Sequence, residues 1–265
     1  MVNFSKSNPT GRFSGLADIY AKFRPSYPDE AIQFILERCK LVEESLLVDI
    51  GSGTGISSRL FAGRGLHVIG VEPNADMRAK ADAEISDDLR ACLFYVDGQA
   101  ETTGLPAASA DAVLCAQSFH WFDPAKALAE FHRILKPDGW TVLIWNERDA
   151  SDEFTLAYGD FMHQFSLLHT VEGTKSLEVE RGLSGVALLK SDLFGDSSRT
   201  VFNNSQILDA DGLVGRAFSA SYAPKENVAA QNFEAAIRDL FARFEKSGSV
   251  NIIYETSVYC ARRQK

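Results

Sequence analysis

A chain of 265 residues, 45% apolar and 11% aromatic, is long enough to bury the core of one large domain. Its formal net charge of −9 lacks the basic surplus that a phosphate backbone demands, so nucleic acid is not an expected partner. No apolar run approaches the ~20 residues that span a bilayer and Met1–Thr10 shows no apolar signal core; the four scattered cysteines, Cys39, Cys92, Cys115 and Cys260, fit a reducing cytoplasm without disulfides.

In chain order, residues 1–27 are polar with interspersed aromatics: Phe4, Phe13, Tyr20, Phe23 and Tyr27. Pro25 and Pro28 end any helix running from Leu16 to Phe23. Pro28-Asp29-Glu30 then opens a helix with an acidic first turn. Its residues Ala31, Ile32, Ile35, Leu36 and Cys39 share one face. Leu46–Ile50 reads as a buried parallel strand. Gly51, Gly53 and Gly55 break it, and Ile56, Leu60 and Phe61 give the face of a helix. Such a turn lets a ligand approach the backbone, and the helix start behind it favours acceptor groups. The dinucleotide fingerprint needs glycine where Ile56 stands, which disfavours a nicotinamide-dependent oxidoreductase.

A second strand, Leu66–Val71, ends in Glu72, 21 positions after Gly51. A carboxylate there has two oxygens for the two hydroxyls of a ribose. Turn and acid together indicate a nucleoside-containing cofactor. Pro73-Asn74 starts a helix through Met77, Ala81 and Ile85, with Met77 near the base or in the core. The third strand, Cys92–Val96, runs into Asp97-Gly98-Gln99. The fourth, Ala112–Cys115, runs into Gln117-Ser118-Phe119-His120-Trp121-Phe122. Open α/β sheets bind ligands at such strand ends. Aromatic faces there suit a cation or a pocket for an apolar or mixed substrate. His120 is the histidine placed at a strand's carboxyl end, and so the candidate general base.

Asp123-Pro124 starts the next helix. Lys136-Pro137-Asp138-Gly139 stops it before a fifth strand, Trp140–Trp145. Phe154, Tyr158, Phe161, Phe165 and Leu168 then share a helical face, and residues 150–195 read as a helical insertion over the acceptor side. A sixth strand (Thr200–Gln206) and helices over Asp209–Phe218 and Asn227–Lys246 follow, the last with Phe233, Ile237, Leu240, Phe241 and Phe244 inward. Ile252–Ala261 is expected as an antiparallel strand on the sheet edge. No histidine, cysteine or carboxylate cluster has metal-ligand spacing.

The pattern Asp49-x-Gly51-x-Gly53-x-Gly55 resembles the first motif of the class I S-adenosylmethionine-dependent methyltransferases. Leu105-Pro106 before Asp111 and the Leu135-Lys136-Pro137-Asp138-Gly139 turn are similar to recurrent features of that family. Tyr20–Pro28 resembles the N-terminal lid of its type 11 group. Ser118-Phe119-His120-Trp121-Phe122 resembles the matching segment of trans-aconitate methyltransferase-like small-molecule enzymes. The resemblance covers residues 16–146 well and the rest loosely. It implies an α/β, Rossmann-like fold with a seven-stranded, mostly parallel sheet, an antiparallel last strand and a helical cover. The domain would divide into a lid (1–28), a cofactor-binding core (29–146), the cover (150–195) and a C-terminal completion (196–265). The implied cofactor is S-adenosyl-L-methionine, held by Asp49, Gly51, Ser52, Gly53, Gly55, Glu72, Asn74, Met77, Asp97, Gly98, Gln99, Gln117, Tyr20 and Arg24, with Asp97 meeting the adenine amine. The acceptor would be a small molecule, with a carboxylate or other oxygen favoured, bound by Phe119, His120, Trp121 and Tyr27. The enzyme would be a cytoplasmic monomer or homodimer without membrane partners. The alternative is a non-catalytic cofactor-binding or interaction protein on the same fold.

Overall fold

A computed structural model describes residues 15–169, 183–224 and 227–265. Helices α1 (Ala17–Phe23) and α2 (Asp29–Arg38) precede β1 (Leu46–Ile50), α3 (Ile56–Ala62), β2 (His67–Val71), α4 (Ala75–Ala83), β3 (Leu93–Val96) and β4 (Ala110–Ala116). Helix α5 (Pro124–Ile134), β5 (Leu135–Arg148), α6 (Glu153–His169), α7 (183–189), β6 (Phe194–Leu208), α8 (Ala210–Phe218), α9 (Asn227–Phe244) and β7 (Val250–Arg263) complete the chain. The strands form one sheet in the order β3-β2-β1-β4-β5-β7-β6. The first five are mutually parallel. β7 runs antiparallel to both its neighbours.

The central strands alternate between two apolar faces, as period-2 geometry requires. Leu47, Leu114 and Val142 face α2 and α3, packing with Ile32, Ile35 and Phe61. Val48, Val113 and Leu143 face α5, with Phe131 and Ile134. A third cluster joins α6, α8 and α9 to the start of β7 through Tyr158, Leu213, Phe233 and Ile252. On α9, Phe233, Ile237 and Leu240 are buried as their spacing indicates. The side chain of Leu168, the stretch 170–182 and residues 1–14, with Phe4 and Phe13, lie outside the described residues.

Two expectations are corrected. β7 is not the edge strand: it lies between β5 and β6, and β6 forms the edge. The physical reason is polarity. β6 alternates exposed and half-buried positions along Ser197–Gln206, which suits an edge. From Thr256 to Ala261, β7 is continuously buried. The Lys136–Gly139 turn does not separate α5 from the strand either. It bulges within the ladder, where the register passes from Ala110↔Leu135 to Ala112↔Trp140. Asp138 takes φ +68° there.

The order of strands reverses between β1 and β4, which places a crevice at their carboxyl ends. The segment Phe23–Ser26 is fastened across it by side chains of the sheet. Ser26 O accepts from Asn146 Nδ2 (3.0 Å) and Asn204 Nδ2 (2.9 Å). Phe23 O accepts from Gln206 Nε2 (3.0 Å). An ion pair, Lys80–Asp18 at 2.7 Å, ties α1 to α4.

Candidate active site

The turn after β1 is shaped by three positive φ angles, at Gly51, Gly53 and Gly55. At Gly51 a Cβ would stand 2.7 Å from Ser118 Cβ, so glycine is demanded by both angle and space. At Gly53 nothing lies within 4 Å of that position, and the residue faces open cavity. Gly51 N–H and Ser52 N–H donate to Val71 O, locking the turn against β2.

Asp49 is fully buried beneath this turn and lines neither cavity described below. Its Oδ2 accepts from the hydroxyls of Ser57 and Ser58, each at 2.6 Å. It therefore holds the first turn of α3 against β1, and its place is behind the ligand surface. Burial pushes its carboxyl up to about 6, against the lowering effect of those hydroxyls. A folded value above the ordinary 3.8 means that the folded chain holds this proton more tightly. The stabilisation is whole below about pH 4 and is lost as pH rises through 6. The full shift corresponds to roughly 3 kcal/mol. Asn keeps an oxygen for both serines without the charge. Asp49→Asn is expected to raise the thermal midpoint at pH 8 and to converge with the parent only as the pH falls to about 4. Calorimetry at both pH values checks this; a variant less stable than the parent at pH 8 sinks the argument.

Two cavities flank the turn. The one beside β2 and β3, about 550 Å³, is lined by Gly51, Gly53, Glu72, Met77, Gly98 and Gln99, among others. Glu72 is buried at the end of β2. Its Oε2 accepts from Gly53 N–H (2.9 Å) and its Oε1 from Asn74 N–H (2.8 Å). Burial raises its carboxyl above the usual range, while those two amides and the Arg78 charge pull it down. The amides fix the carboxylate plane, and each oxygen keeps a second lone pair for a ligand. Asp97, Asn74 and Gly55 do not line this cavity. Asp97 points outward, 73% exposed and 3.3 Å from Arg78 Nη1. Asn74 caps α4, accepting from Met77 N–H at 3.0 Å. Gly55 caps α3 and packs on Tyr95. The far wall brings in Phe122 of the aromatic run, and with it Glu101, Asp123 and Lys126, which no motif assigned to the site.

The second cavity, about 320 Å³, lies towards β5, β7 and the helical cover. Tyr20, Gly51, Gly53, Ala116, Gln117 and Trp121 line both cavities, so the two meet there. Gln117 stands at φ +61° just after β4, a rare angle for a residue with a Cβ. Its N–H donates to Ile144 O at 2.9 Å, which holds the bend. His120 and Trp121 follow on a short 3₁₀ turn with ring centroids 4.8 Å apart. His120, Tyr27, Arg24 and Ser52 line the second cavity. Phe119 does not: it is fully buried against Phe122 and Phe131, on the core side of that turn.

Helices α6 and α8, the stretch after α8 and strands β5 and β7 contribute residues that local motifs could not assign to a site. Tyr158 and Met162 of α6, Arg216 of α8, Ser221, Tyr222 and Tyr254 all line the second cavity, with Arg148 of β5. Tyr158 is fully buried with an unpartnered hydroxyl, and burial pushes its phenol up to about 12. One signal for Arg216 was available: it sits three positions after Leu213, on the apolar face of α8. Among the described residues no group of three or more His, Cys, Asp or Glu could hold a metal ion. No helix among them is long and apolar enough to cross a membrane.

Residues 48–143 match the family model described as a methyltransferase domain. An uncharacterized methyltransferase of Mycobacterium tuberculosis is 39% identical over 140 residues, covering 52% of this chain and 53% of its own length. One from Schizosaccharomyces pombe is 34% identical over 136 residues, covering 50% and 51%. The chain thus spans about half the length of these curated relatives. A solved structure from Anaeromyxobacter dehalogenans, assigned as a type II methyltransferase, superposes with a TM-score of 0.64 at 21% identity, over 91% of this chain and 98% of that one. A phosphoethanolamine N-methyltransferase of Haemonchus contortus, solved with S-adenosyl-L-methionine, superposes with a TM-score of 0.51 at 17% identity, over 100% and 61%. Residues 48–143 of this chain thus match a methyltransferase domain, and the chain shares the fold of these solved methyltransferase structures.

Proposed function

We propose that the chain is an S-adenosylmethionine-dependent methyltransferase whose acceptor is a small molecule with an oxygen nucleophile. The observation that carries the reading is the meeting of two cavities at Tyr20, Gln117 and Trp121, with Glu72 in the lining of one of them. The residues present fit the cofactor. Glu72 offers two oriented acceptor oxygens, Gly53 leaves its Cβ direction empty, and Met77 supplies an apolar wall.

When bound, the cofactor supplies an activated methyl group on a sulfonium. The chain's own work is then positional. Glu72 and the glycine turn set one reactant. Tyr20 and Trp121 present aromatic faces at the junction, where a cation is favoured. The clip formed by Asn146, Asn204 and Gln206 keeps Tyr20 over the junction, so residues 15–28 serve as a lid that excludes water. Helix α6 closes the acceptor side. An ionised acceptor oxygen needs no base; a hydroxyl must lose a proton, and His120 is the group in the lining placed to accept it. Open space of about 320 Å³ beside the junction favours turnover over a binding-only role, because the cover leaves room for an acceptor. In this reading the enzyme works in the cytoplasm as a monomer or homodimer, and Cys39, Cys115 and Cys260 are buried structural thiols.

Calorimetric titration with S-adenosylmethionine and S-adenosylhomocysteine tests the proposal. Micromolar binding of both is expected. Gly53→Arg, which drives a long side chain into the cavity, is expected to remove it. A folded parent that binds neither compound, or a Gly53→Arg variant that binds as well as the parent, would overturn the assignment.

A further inference from the structure

The second cavity is walled by rings. Among the described residues of its lining, Tyr27, His120, Trp121, Tyr158, Tyr222 and Tyr254 bring six planar side chains from five stretches of the chain. The larger aliphatic side chains of that lining are Ile56 and Met162. Aromatic rings and guanidinium planes both stack on flat partners, and Arg148 already lies over the Tyr158 ring, 5.8 Å from its centroid. A cage of rings also suits a quaternary ammonium. Here the same described lining carries Arg148 and Arg216, and positive charge in the wall disfavours a cationic ligand.

Size and one hydroxyl narrow the choice. An apolar cavity of about 150 Å³ takes a benzene ring, so a cavity of about 320 Å³ holds two fused rings. Tyr254 Oη is committed within the wall: it accepts from Arg216 Nε at 3.4 Å and donates to Gln206 Oε1 at 3.5 Å. Tyr158 differs. It is fully buried, its Oη has no partner, and it lines the cavity. Burial pushes its phenol up to about 12, so it is a neutral O–H donor at physiological pH. A buried O–H left without an acceptor is costly, and a ligand oxygen relieves that cost. Tyr158 lines the second cavity but not the junction with the first. The ligand atom it meets is therefore distinct from the one presented at Gln117 and Trp121.

We propose that the methyl acceptor is a flat aromatic compound of one or two fused rings, with a phenolic hydroxyl at the junction and a second, uncharged oxygen that accepts a hydrogen bond from Tyr158. The acceptor role rests on the methyltransferase reading; the aromatic binding site itself does not. The phenol oxygen takes the methyl as the S–CH₃ bond breaks, the electron pair of that bond stays on sulfur, and the phenol proton passes to the His120 imidazole. Tyr158 decides which oxygen of the ring points away from the methyl. It does not touch the reacting atoms.

The test is calorimetric titration of the full chain, with and without saturating S-adenosylhomocysteine. The flat probes are 4-hydroxyacetophenone and 7-hydroxycoumarin, each a phenol with a remote carbonyl oxygen, and 2-naphthol, which lacks the second oxygen. Decahydro-2-naphthol is the puckered control. At least one carbonyl-bearing probe is expected to bind the parent saturably and more tightly than 2-naphthol, because a buried polar group left unpaired rejects the analogue without its partner. Tyr158→Phe keeps the ring and removes only the hydroxyl, so it is expected to fold with an unchanged or higher thermal midpoint. It is expected to lose about fivefold in affinity for the carbonyl-bearing probes and less than twofold for 2-naphthol and S-adenosylhomocysteine. Tyr222→Leu, at a half-buried position, is expected to weaken every flat probe at least threefold and to leave decahydro-2-naphthol unchanged. Failure of all flat probes to bind, equal binding of decahydro-2-naphthol and 2-naphthol, or a Tyr158→Phe variant that titrates as the parent does overturns the proposal. A parent that binds S-adenosylhomocysteine but no flat probe loses the aromatic acceptor and keeps the cofactor reading. A parent that binds the flat probes but not S-adenosylhomocysteine keeps the aromatic site and loses the cofactor reading.

Discussion

Glu72→Ala is expected to weaken S-adenosylmethionine binding about 100-fold, with a smaller loss of stability. The two losses have different sources. Hydrogen bonds from a ligand hydroxyl to an ionised carboxylate are worth about 1.5–3 kcal/mol each, and the geometry allows one on each oxygen. The stability loss comes from Gly53 N–H and Asn74 N–H, which lose their acceptor inside a largely buried site. A cofactor analogue lacking the ribose 2′-hydroxyl separates the two. It is expected to bind the parent at least tenfold more weakly than the natural cofactor, and to bind Glu72→Ala as well as the natural cofactor does. Equal penalties for the analogue in both proteins would mean that Glu72 shapes the turn without meeting the ribose. pH gives an independent check with a definite sign. Burial raises this carboxyl, and its protonated form loses acceptor capacity. Affinity is therefore expected to fall as pH drops through the raised value, and Glu72→Ala is expected to lose that dependence.

Trp145→Ala is expected to cost about 3–5 kcal/mol of stability, the range for emptying a fully buried aromatic site. Trp145 is 0% exposed on β5, packed edge-on to Tyr259 at 5.6 Å between ring centroids. Its neighbours are strand residues on both sides, and a sheet cannot collapse onto the space as a loop can. The indole N–H adds a second argument, because it is buried without an acceptor and already carries its desolvation cost. Trp145→Phe removes that donor and keeps most of the ring, so it is expected to cost under half as much as Trp145→Ala. Urea unfolding of the three proteins decides. If Phe and Ala are equally destabilising, the indole N–H has a partner and the packing argument fails.

The motif residues fall into two groups once folded. Gly51, Gly53, Glu72, Met77, Gln99, Gln117, His120 and Trp121 reach a cavity. Asp49, Asn74 and Gly55 sit one layer behind, and Phe119 is core. The distinction was not legible because a motif records which residues recur together, and a residue that shapes a turn recurs as faithfully as one that touches the ligand. Asp49 shows this well: its carboxylate serves Ser57 and Ser58, nine or fewer positions away. Asp97 follows the third strand as the resemblance implies, yet Arg78 draws its carboxylate outward.

The sequence by itself determined the strand–turn–helix around Gly51–Gly55, the acid after β2, the aromatic run after β4 and the helix faces of α2, α5 and α9. These depend on contacts between residues near in the chain: periodicity, positive-φ glycine, a proline or aspartate at a helix start. Tertiary structure decided that β7 lies inside the sheet with β6 on its edge, because ladder order rests on pairings such as Leu143↔Tyr259, over a hundred residues apart. It also decided the second cavity. Arg24, Tyr158 and Arg216 lie on three separate elements, and no local pattern relates them. They come together because Ser219, Asn146, Asn204 and Gln206 bind the Phe23–Ser26 segment down onto the sheet and α8. Local spacing encodes the glycine turn, whereas the second cavity is built from side chains that meet only when distant elements pack.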